Sequence, residues 1–437
     1  MSQQSWIARD QAVRIQSRFT FPQVLASGRG THVYDTDGKE YLDFLAGQVC
    51  AVTGHCHPRY VQAIEKQART LIQRGSAFTD TAQIELAERV AQVCPGDLNK
   101  SYFACTGSES NEAALRMVKL LTGRHEVVAV VRGYHGLTAG SFGITGLGGI
   151  FREGYGPMQP GAAFVPAPYV YRCPFKGCDQ DGGECAMTCL DHGMDTLLRT
   201  TSGRPAAVFV EIVQSAGGVI VMPEEWLVEI RRLCDEWDAL LVVDEAQTGF
   251  GRTGKMFAFE HYDVLPDILT LSKSLGGGLP ASAVVVRQQI AEELERRDYY
   301  QSSSHTGDPL LSAAALANLQ IIEEEGLVEN AEKVGKLLKD GLEEIATRHE
   351  IVGDVRGIGL FLGAEIVEDK ASRTASSDLA VAISSHCTAD GLLVGHVPGA
   401  VSENIIRLLP PLTVSSAEAE KALEILAGAV QRAERAR

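Results

Sequence analysis

The sequence has no long hydrophobic run and no excess of basic residues. No apolar stretch of the 437 residues approaches the roughly 20 needed to cross a bilayer, and the first residues, MSQQSWIARDQAVRIQ, are too polar for a secretory signal. Asp and Glu outnumber Lys and Arg by 56 to 40, which disfavours binding to nucleic acid or an anionic membrane. We therefore expect a cytoplasmic protein that acts on small molecules.

The ten cysteines do not suggest a disulfide framework. In a chain of this size and predicted location they are expected to be reduced thiols or metal ligands. Four of them lie close together in an insertion-like loop, 172–192, at Cys173, Cys178, Cys185 and Cys189. They could bind one tetrahedral zinc ion, although the spacing is not that of common zinc motifs, or they could be incidental surface thiols. Both interpretations stay open.

Short apolar runs rich in β-branched residues recur between helical patterns, which predicts a mostly parallel α/β sheet. These runs are 125–131, 205–212, 239–246, 267–273 and 281–287. Before them, 31–44 alternates apolar and polar residues around Asp37-Gly38 and predicts a β-hairpin. We predict an N-terminal segment (1–59) that packs with the small domain, a large domain (60–315) and a smaller C-terminal α+β domain (316–437).

Two candidate catalytic residues follow neighbouring apolar runs. Asp244 ends LLVVD, and Lys273 follows ILTLS. A lysine at the mouth of a sheet can form an imine with an aldehyde, and a buried aspartate can keep a pyridinium nitrogen protonated. Each residue alone could be an ordinary strand-end charge, but together they indicate a pyridoxal phosphate (PLP) enzyme.

A third feature is a predicted anion site at a helix start. Thr106 and Glu109, in TGSESN, fit a capping box before the helical pattern EAALRMVKLL. Backbone N–H groups and hydroxyls at such a start suit a phosphate group. A plain helix cap would be the simpler interpretation, but the other motifs favour the phosphate.

The combination of motifs resembles the class III aminotransferases, a subgroup of the fold-type I PLP enzymes, over about residues 25–430. The motifs are GHCHP (54–58), TGSESNEAA (106–114), YHG (134–136), DEAQTGFGRTG (244–254), the Lys273 segment and HTGDP (305–309). The resemblance implies an α/β fold with a mostly parallel, seven-stranded sheet flanked by helices in the large domain. It also implies a homodimer, or a tetramer built from two dimers, whose active sites are shared between two chains.

The same resemblance assigns roles to individual residues. Lys273 matches the Schiff-base lysine and proton carrier, Asp244 the partner of the pyridine nitrogen, and Gln247 the partner of the ring hydroxyl. Tyr134 would stack on the cofactor ring, and Ser304 would reach the phosphate of the neighbouring subunit. The remaining expected cofactor-binding positions are Thr106, Gly107, Ser108, Asn111, His135 and Glu211.

Three positions resemble the 2,2-dialkylglycine decarboxylase branch of this family. Gln48 matches a glutamine that faces the substrate carboxylate, Arg407 matches an arginine that binds a carboxylate, and Asp308 stands where most relatives have asparagine. That branch also binds an alkali cation, so K⁺ or Na⁺ is expected near Ser76, Ser304, Thr306 and Asp308. In contrast, Ala216 in the expected substrate pocket lacks the serine of the decarboxylase and the glutamate of ω-amino acid transaminases.

From these residues we expect a PLP-dependent decarboxylating transaminase, with a small α-amino acid as donor and a 2-oxo acid such as pyruvate as acceptor. The alternative is a class III aminotransferase that acts on amino acids or amines without decarboxylation. An amino acid epimerase or an amino-phosphate lyase is more remote. A nucleotide-binding module is disfavoured because Lys273 precedes the glycines 276–278 instead of following them.

Overall fold

The computed structural model describes residues 2–16, 21–175, 177–178, 184–396 and 402–437. Its strands, β1 to β16 in chain order, are Leu25–Arg29, His32–Asp35, Glu40–Asp43, Leu98–Ala104, Val127–Val130, Ala162–Val165, Ala207–Val210, Val213–Gln214, Ile220–Val221, Leu240–Asp244, Ile268–Leu271, Ser282–Arg287, Val352–Ile358, Phe361–Ile366, Leu392–Leu393 and Ile405–Leu408. Its helices, α1 to α13, are Gln3–Val13, Ala46–Val49, Pro58–Ala68, Thr81–Val93, Gly107–Thr122, Ala139–Gly143, Thr188–Thr200, Glu224–Trp237, Gln288–Arg296, Pro309–Glu324, Leu327–Arg348, Ser377–Ala389 and Ser416–Arg435.

A seven-stranded sheet in the order β4-β12-β11-β10-β7-β5-β6 forms the centre of the large domain. Strands β11, β10, β7, β5 and β6 run parallel to their neighbours in that order. Strand β12 is antiparallel to both β11 and β4. The predicted α/β class and the mostly parallel sheet are therefore confirmed, with one reversed strand near an edge.

The inner strands are apolar because both of their faces are covered. Every residue of β5, β7 and β11 is buried, as expected for parallel strands between helices. Helix α8 shows the complementary pattern: its buried residues recur at helical spacing and face the sheet. They are Trp226, Leu227, Ile230, Leu233, Cys234 and Trp237.

Besides the seven-stranded sheet, the described residues form a four-stranded, a three-stranded and a two-stranded sheet. The predicted hairpin forms between β2 and β3, with His32 opposite Leu42, and β3 pairs in parallel with β15 from the C-terminal part of the chain. Strands β13, β14 and β16 form an antiparallel sheet. The pairing of β3 with β15 joins the two ends of the sequence, while the domain boundaries 1–59, 60–315 and 316–437 stay a prediction. In the described ranges, no helix is long and apolar enough to cross a membrane.

Candidate active site

Asp244 and Lys273 lie at the same edge of the central sheet. Asp244 is the last residue of β10, which pairs in parallel with β11 so that Asp244 is opposite Thr270, three residues before Lys273. The carboxyl ends of parallel strands form the usual site of α/β enzymes. The charge of Asp244 acts on the Lys273 amine, so the structure brings the two predicted residues together.

The Asp244 carboxylate is buried and accepts three hydrogen bonds. Its Oδ2 accepts from Nδ2 of Asn111 at 2.8 Å and from Nδ1 of His135 at 2.9 Å, and its Oδ1 accepts from the backbone N–H of Ala246 at 3.0 Å. Burial alone raises the pKa of this carboxyl, but the bond and charge of His135, with the bond from Asn111, outweigh burial and hold the pKa below its usual value. Asp244 is therefore a fixed negative charge.

Lys273 has the chemistry expected of a Schiff-base lysine. Burial lowers the pKa of its amine, and the negative charge of Asp244 only partly opposes this shift. A lowered pKa increases the fraction of neutral, nucleophilic amine. The residue also has a φ of +42°, an unfavourable conformation for a side chain with a Cβ, of the kind that is often found at functional sites.

The start of α5 provides the predicted anion site. Thr106 caps the helix, because its Oγ1 accepts from the N–H of Glu109 at 3.3 Å while Oε2 of Glu109 accepts from the N–H of Thr106 at 2.8 Å. Ser108 lies in the first turn and accepts from the N–H of Leu137 at 3.3 Å. A Cβ at Gly136 would come within 2.4 Å of Oγ of Ser108, so glycine is required for this close approach. Free N–H groups at a helix start, together with hydroxyls, fit a phosphate.

Asn111 and His135 lie behind the expected cofactor position. Besides holding Asp244, Asn111 donates to the carbonyl of His135 at 2.8 Å and accepts from Oγ1 of Thr270 at 3.0 Å. His135 is 2% exposed. Both residues hydrogen-bond to Asp244, and their contact with the cofactor stays a prediction. Thr270, which orients Asn111, was missed, since a threonine inside a strand gives no sequence signal.

Tyr134, Glu211 and Gln247 surround the same edge. The N–H of Tyr134 donates to Oε1 of Glu211 at 2.6 Å, and burial, followed by the charge of Asp244, raises the pKa of Glu211 to about 7. The Tyr134 ring is partly exposed and packs edge-on against Phe151, with 5.9 Å between ring centres. Gln247 follows Asp244 by three residues and is partly exposed. Their assignment to the cofactor ring stays a prediction.

Arg407 contributes a buried positive charge from β16. Its side chain is 8% exposed, and Nη1 lies 3.3 Å from Oγ of Ser215, to which it donates. Burial lowers the pKa of the guanidinium to about 10, and its charge reaches Lys273. Within the described ranges, no carboxylate pairs with Arg407. Ala216 follows Ser215, and its carbonyl accepts from Oγ of Ser402 at 2.7 Å.

Gln48 lies on an irregular turn close to Lys273. The turn is α2, in which Gly47 and Gln48 have non-helical backbone angles, and the side chain of Gln48 is exposed. Cys50, two residues later, donates through its thiol to the carbonyl of Gln48 at 3.4 Å and interacts electrostatically with Lys273. The turn thus contacts the Lys273 segment, but the predicted contact of Gln48 with a substrate stays a prediction.

The donors expected for an alkali cation are partly engaged by protein groups. The carbonyl of Thr306 accepts from Arg74 at 3.1 Å and from Gln83 at 2.8 Å. Oδ2 of Asp308 accepts from His305 at 2.5 Å, while its Oδ1 is buried without a partner. Ser76 and Ser304 are exposed. The Arg74 guanidinium already donates to the carbonyl of Thr306, which is one of the expected ligands. A cation at this place stays a prediction.

None of the four clustered cysteines forms a disulfide bond among the residues that the structure describes. The sulfurs of Cys173 and Cys178 are 3.4 Å apart, and the N–H of Ala186 donates to Cys178 at 3.4 Å. Nevertheless, no three His, Cys, Asp or Glu side chains in the part of the chain that the structure describes are arranged to hold a metal ion. The zinc interpretation of the cysteine cluster therefore has no support from these residues. Positions 176 and 179–183 of the loop lie outside the described residues.

The mostly parallel sheet and this edge of it define a PLP-dependent enzyme of fold type I. Each part of the site matches one group of the cofactor in its chemistry. The anion site at α5 suits the phosphate, the fixed charge of Asp244 suits the ring nitrogen, and the amine of Lys273 suits the aldehyde. The sequence model described as "Aminotransferase class-III" matches residues 15–430. The chain belongs to the class III aminotransferase family.

Known relatives cover almost the whole chain. An acetylornithine aminotransferase from Methanopyrus kandleri is 38% identical, over 94% of this chain and 95% of its own length. A leucine/methionine racemase from Thermococcus litoralis is 34% identical, over 96% of this chain and 94% of its own. The crystal structure of an ω-transaminase from Pseudomonas jessenii in complex with PMP has 29% identity and a TM-score of 0.91, and the match covers 98% of both chains. The chain is accordingly a PLP-dependent aminotransferase.

Proposed function

We propose that this enzyme transfers the amino group of a small α-amino acid to a 2-oxo acid and releases no CO₂. The observation that carries this proposal is the buried Arg407, which has no carboxylate partner in the described residues and whose charge reaches Lys273. A buried cation without a partner is unfavourable, and the α-carboxylate of a substrate would neutralise it. Arginine suits this task because its planar fork binds a carboxylate through two hydrogen bonds.

Ala216 supports the same substrate class. A glutamate at this position would neutralise Arg407 and favour substrates that lack an α-carboxylate. Alanine carries no charge, and its carbonyl is bound by Ser402. Arg407 therefore stays available for each amino acid and 2-oxo acid that enters.

The proposal assigns a separate task to each residue of the site. PLP, when bound, supplies an electron sink for negative charge at the substrate α-carbon. Arg407 holds the α-carboxylate, and Lys273, whose pKa is lowered by burial, takes up and returns the α-proton. Asp244 contributes a permanent negative charge to the side of the site that would hold the pyridine nitrogen of PLP. Glu211, Asn111 and His135 keep that side of the site rigid.

The decarboxylating reaction expected from Gln48 has less support. Gln48 is exposed on an irregular turn, and Ala216 lacks the hydroxyl that the decarboxylase resemblance leads one to expect. The relatives described above are two transaminases and one racemase by name. We therefore favour the alternative derived from the sequence, a class III aminotransferase that does not decarboxylate.

A substrate panel tests the proposal. The purified holoenzyme is given L-alanine with 2-oxoglutarate, or another small amino acid or 2-aminoisobutyrate with pyruvate or 2-oxoglutarate, and CO₂, keto acid and new amino acid are measured separately. From donors with an α-hydrogen we expect keto acid and new amino acid in equal amounts without CO₂, and from 2-aminoisobutyrate we expect no turnover. Stoichiometric CO₂ from 2-aminoisobutyrate would contradict the proposal, and so would interconversion of D- and L-alanine without any 2-oxo acid.

We further propose that the active enzyme is a homodimer with shared sites. Ser304, predicted to bind the phosphate of the neighbouring subunit, is exposed on the single chain. Large apolar side chains are exposed in the same region, with Phe78 70% and Ile72 55% accessible. Exposed apolar side chains of this kind favour association, and a symmetric dimer would cover those of both chains.

A further inference from the structure

Two arginines lie in one row across the sheet of β13, β14 and β16. Arg356 in β13 and Arg407 in β16 are both directly opposite Gly363 of β14, the strand between them. Residues opposite one another in neighbouring antiparallel strands point to the same face of the sheet. The two side chains therefore leave the sheet on the same face, with a glycine between them.

The turn that joins β8 to β9, residues 215–218, is bound to both arginines. At its start, Nη1 of Arg407 donates to Oγ of Ser215 at 3.3 Å. At its end, the carbonyl oxygen of Gly218 accepts from Arg356, from Nε at 2.8 Å and from Nη2 at 2.5 Å. The turn thus connects the side chain of Arg356 with that of Arg407.

The middle of the turn is held by side chains from other segments. The carbonyl oxygen of Ala216 accepts from Oγ of Ser402 at 2.7 Å, and that of Gly217 accepts from Nη1 of Arg132 at 3.0 Å. With the bonds at its two ends, each residue of the turn is bound by a side chain from elsewhere in the fold. The position of the turn is therefore set by these contacts.

Glycine at position 363 lets the chain that follows the turn approach the sheet. A Cβ built on Gly363 would lie 2.9 Å from the side chain of Val219, the residue after the turn, and 3.3 Å from that of Ile405. Carbon atoms in favourable contact are about 3.5 to 4.0 Å apart. A methyl group at position 363 would therefore push Val219, and the turn before it, away from the sheet.

The two arginines differ in their charge partners. Nη1 of Arg356 donates to Asp354 at 2.6 Å and to Glu365 at 2.7 Å, and Nη2 donates to the hydroxyl of Tyr169 at 2.8 Å. Together with the bonds to the turn, these contacts engage all five N–H groups that an arginine has. Arg407 has no carboxylate partner among the described residues. Arg356 is thus fully committed to the protein, whereas Arg407 keeps donors for a ligand.

We propose that Arg356 is a positioning residue for substrate binding: it fixes the turn 215–218, and the turn, through Ser215, orients the guanidinium of Arg407 toward the substrate carboxylate. This role rests on the proposed function, in which Arg407 binds the α-carboxylate of the substrate. Arg356 then acts on the substrate only through Arg407. Its loss weakens the binding of amino acids and leaves the binding of simple amines unchanged.

Arg356→Lys tests this role, because lysine keeps the charge beside Asp354 and Glu365 but lacks the fork that binds Gly218. Amino transfer from an amino acid donor of the substrate panel to the cofactor is followed in single turnovers of the holoenzyme. We expect the half-saturating donor concentration to rise by roughly tenfold, as for the loss of one hydrogen bond to a charged group, and the maximal rate to change less than about twofold. With a simple primary amine, both values should stay within about twofold of the wild type.

Two more variants accompany it. Gly363→Ala displaces the turn from the other side and should reproduce the behaviour of Arg356→Lys. The control is Arg232→Lys, since Arg232 also pairs with two carboxylates, those of Glu229 and Glu236, but on the exposed face of α8. This control should match the wild type with both kinds of donor.

A double-mutant cycle shows whether Arg356 acts through Arg407. In an Arg407→Ala background, Arg356→Lys should cause no further rise in the half-saturating concentration of the amino acid, because the group that it orients is absent. An equal rise in both backgrounds would overturn the proposal, and so would equal losses with amino acid and amine. If either Arg356→Lys or Gly363→Ala does not fold, as judged by circular dichroism, the other variant decides by the same readouts.

The failure of this role differs from the failure of the proposed function. If Arg407→Ala alone leaves the half-saturating concentration of the amino acid unchanged, the proposed function is wrong, and the role of Arg356 is wrong with it. If Arg407→Ala raises that concentration but Arg356→Lys and Gly363→Ala do not, only the positioning role of Arg356 is wrong.

Discussion

The carboxylate of Asp244 and the imidazole of His135 form a 2.9 Å hydrogen bond in which both side chains are almost completely shielded from water, at 4% and 2% exposure. Asn111 and the backbone of Ala246 complete the binding of the carboxylate. Every polar contact of Asp244 thus favours its charged form, and the residue enters the reaction with its charge already in place. Such preorganisation is a major source of catalytic power.

Replacing that charge should disable the enzyme without unfolding it. In Asp244→Asn, shape is retained and the negative charge is lost, so we expect kcat to fall by roughly 10³-fold or more. The cofactor should also bind more weakly, as measured by titration of PLP into the stripped protein. Asp340→Asn, which alters an exposed ion pair with Lys336, serves as the control. Near-normal kcat in Asp244→Asn would contradict the assigned role.

Lys273 gives a spectroscopic prediction. The wild type should show an absorbance band near roughly 400 nm that is lost on borohydride reduction, because the lysine amine binds the cofactor aldehyde. Lys273→Ala should lack the reducible band and the activity, while Lys421→Ala, at an exposed position of α13, should keep both. Mass spectrometry after reduction should find the added mass on the peptide that contains Lys273. A label on another lysine would refute the assignment.

Much of this site was accessible from the sequence. The runs that end at Asp244 and Lys273 are short and apolar, and both form inner strands of the sheet. The capping box at Thr106 and Glu109 formed as predicted. These features are local, since a few neighbouring residues determine each strand or cap, and so one sequence is sufficient to find them.

Other features depend on contacts between distant segments. The run at 281–287 is as apolar as its neighbours, and nothing in it indicates that β12 runs antiparallel. Asn111 and His135 carry motif signatures, yet their role as supports of Asp244 appears only when α5 and the loop after β5 meet.

Arg407 should distinguish substrates with and without a carboxylate. In Arg407→Ala, KM for the amino acid donor should rise by roughly 10²-fold, because a buried charged contact is lost. A simple primary amine has no carboxylate to bind, so the rate at which it donates its amino group should change much less. The two half-reactions are measured separately, because the 2-oxo acid of the second one also carries a carboxylate. Arg407→Lys should be intermediate, since an ammonium group cannot form the two-pronged contact. Equal loss on both donors would show that Arg407 acts structurally.

The buried carboxyl of Glu245 should make the stability of the folded protein depend on pH. This carboxyl is fully buried and accepts from the hydroxyl of Thr248 and from the N–H of Phe259. Burial raises the pKa of this carboxyl to about 7. A raised pKa means that the folded protein holds this proton more tightly than the unfolded chain. The resulting stabilisation is complete below about pH 4.5 and is lost as the pH rises to about 7.

Glu245→Gln removes this titration while keeping the shape of the side chain. Relative to the wild type, the variant should therefore gain up to about 3 kcal/mol in the free energy of unfolding between pH 5 and pH 8. Urea unfolding of both proteins at several pH values measures the difference, in which the contributions of all other groups cancel. Glu225→Gln, at an exposed position of α8, should show no such trend. A difference that is constant with pH would exclude the raised pKa.

Sharing of the active site between two chains can be tested by mixing two inactive variants. Lys273→Ala lacks the catalytic amine, and Ser304→Arg should obstruct the site to which Ser304 contributes. If Ser304 serves the neighbouring subunit, the mixed dimer contains one site with both residues intact, because Lys273 comes from one chain and Ser304 from the other. After denaturation and joint refolding in equal amounts, half of the dimers are mixed and activity should recover to about a quarter of the wild-type value. If each site used only its own Ser304, both sites of the mixed dimer would be defective and no activity would return. Light scattering of the wild type should give twice the mass of the 47.0 kDa chain, or a multiple of that dimer mass.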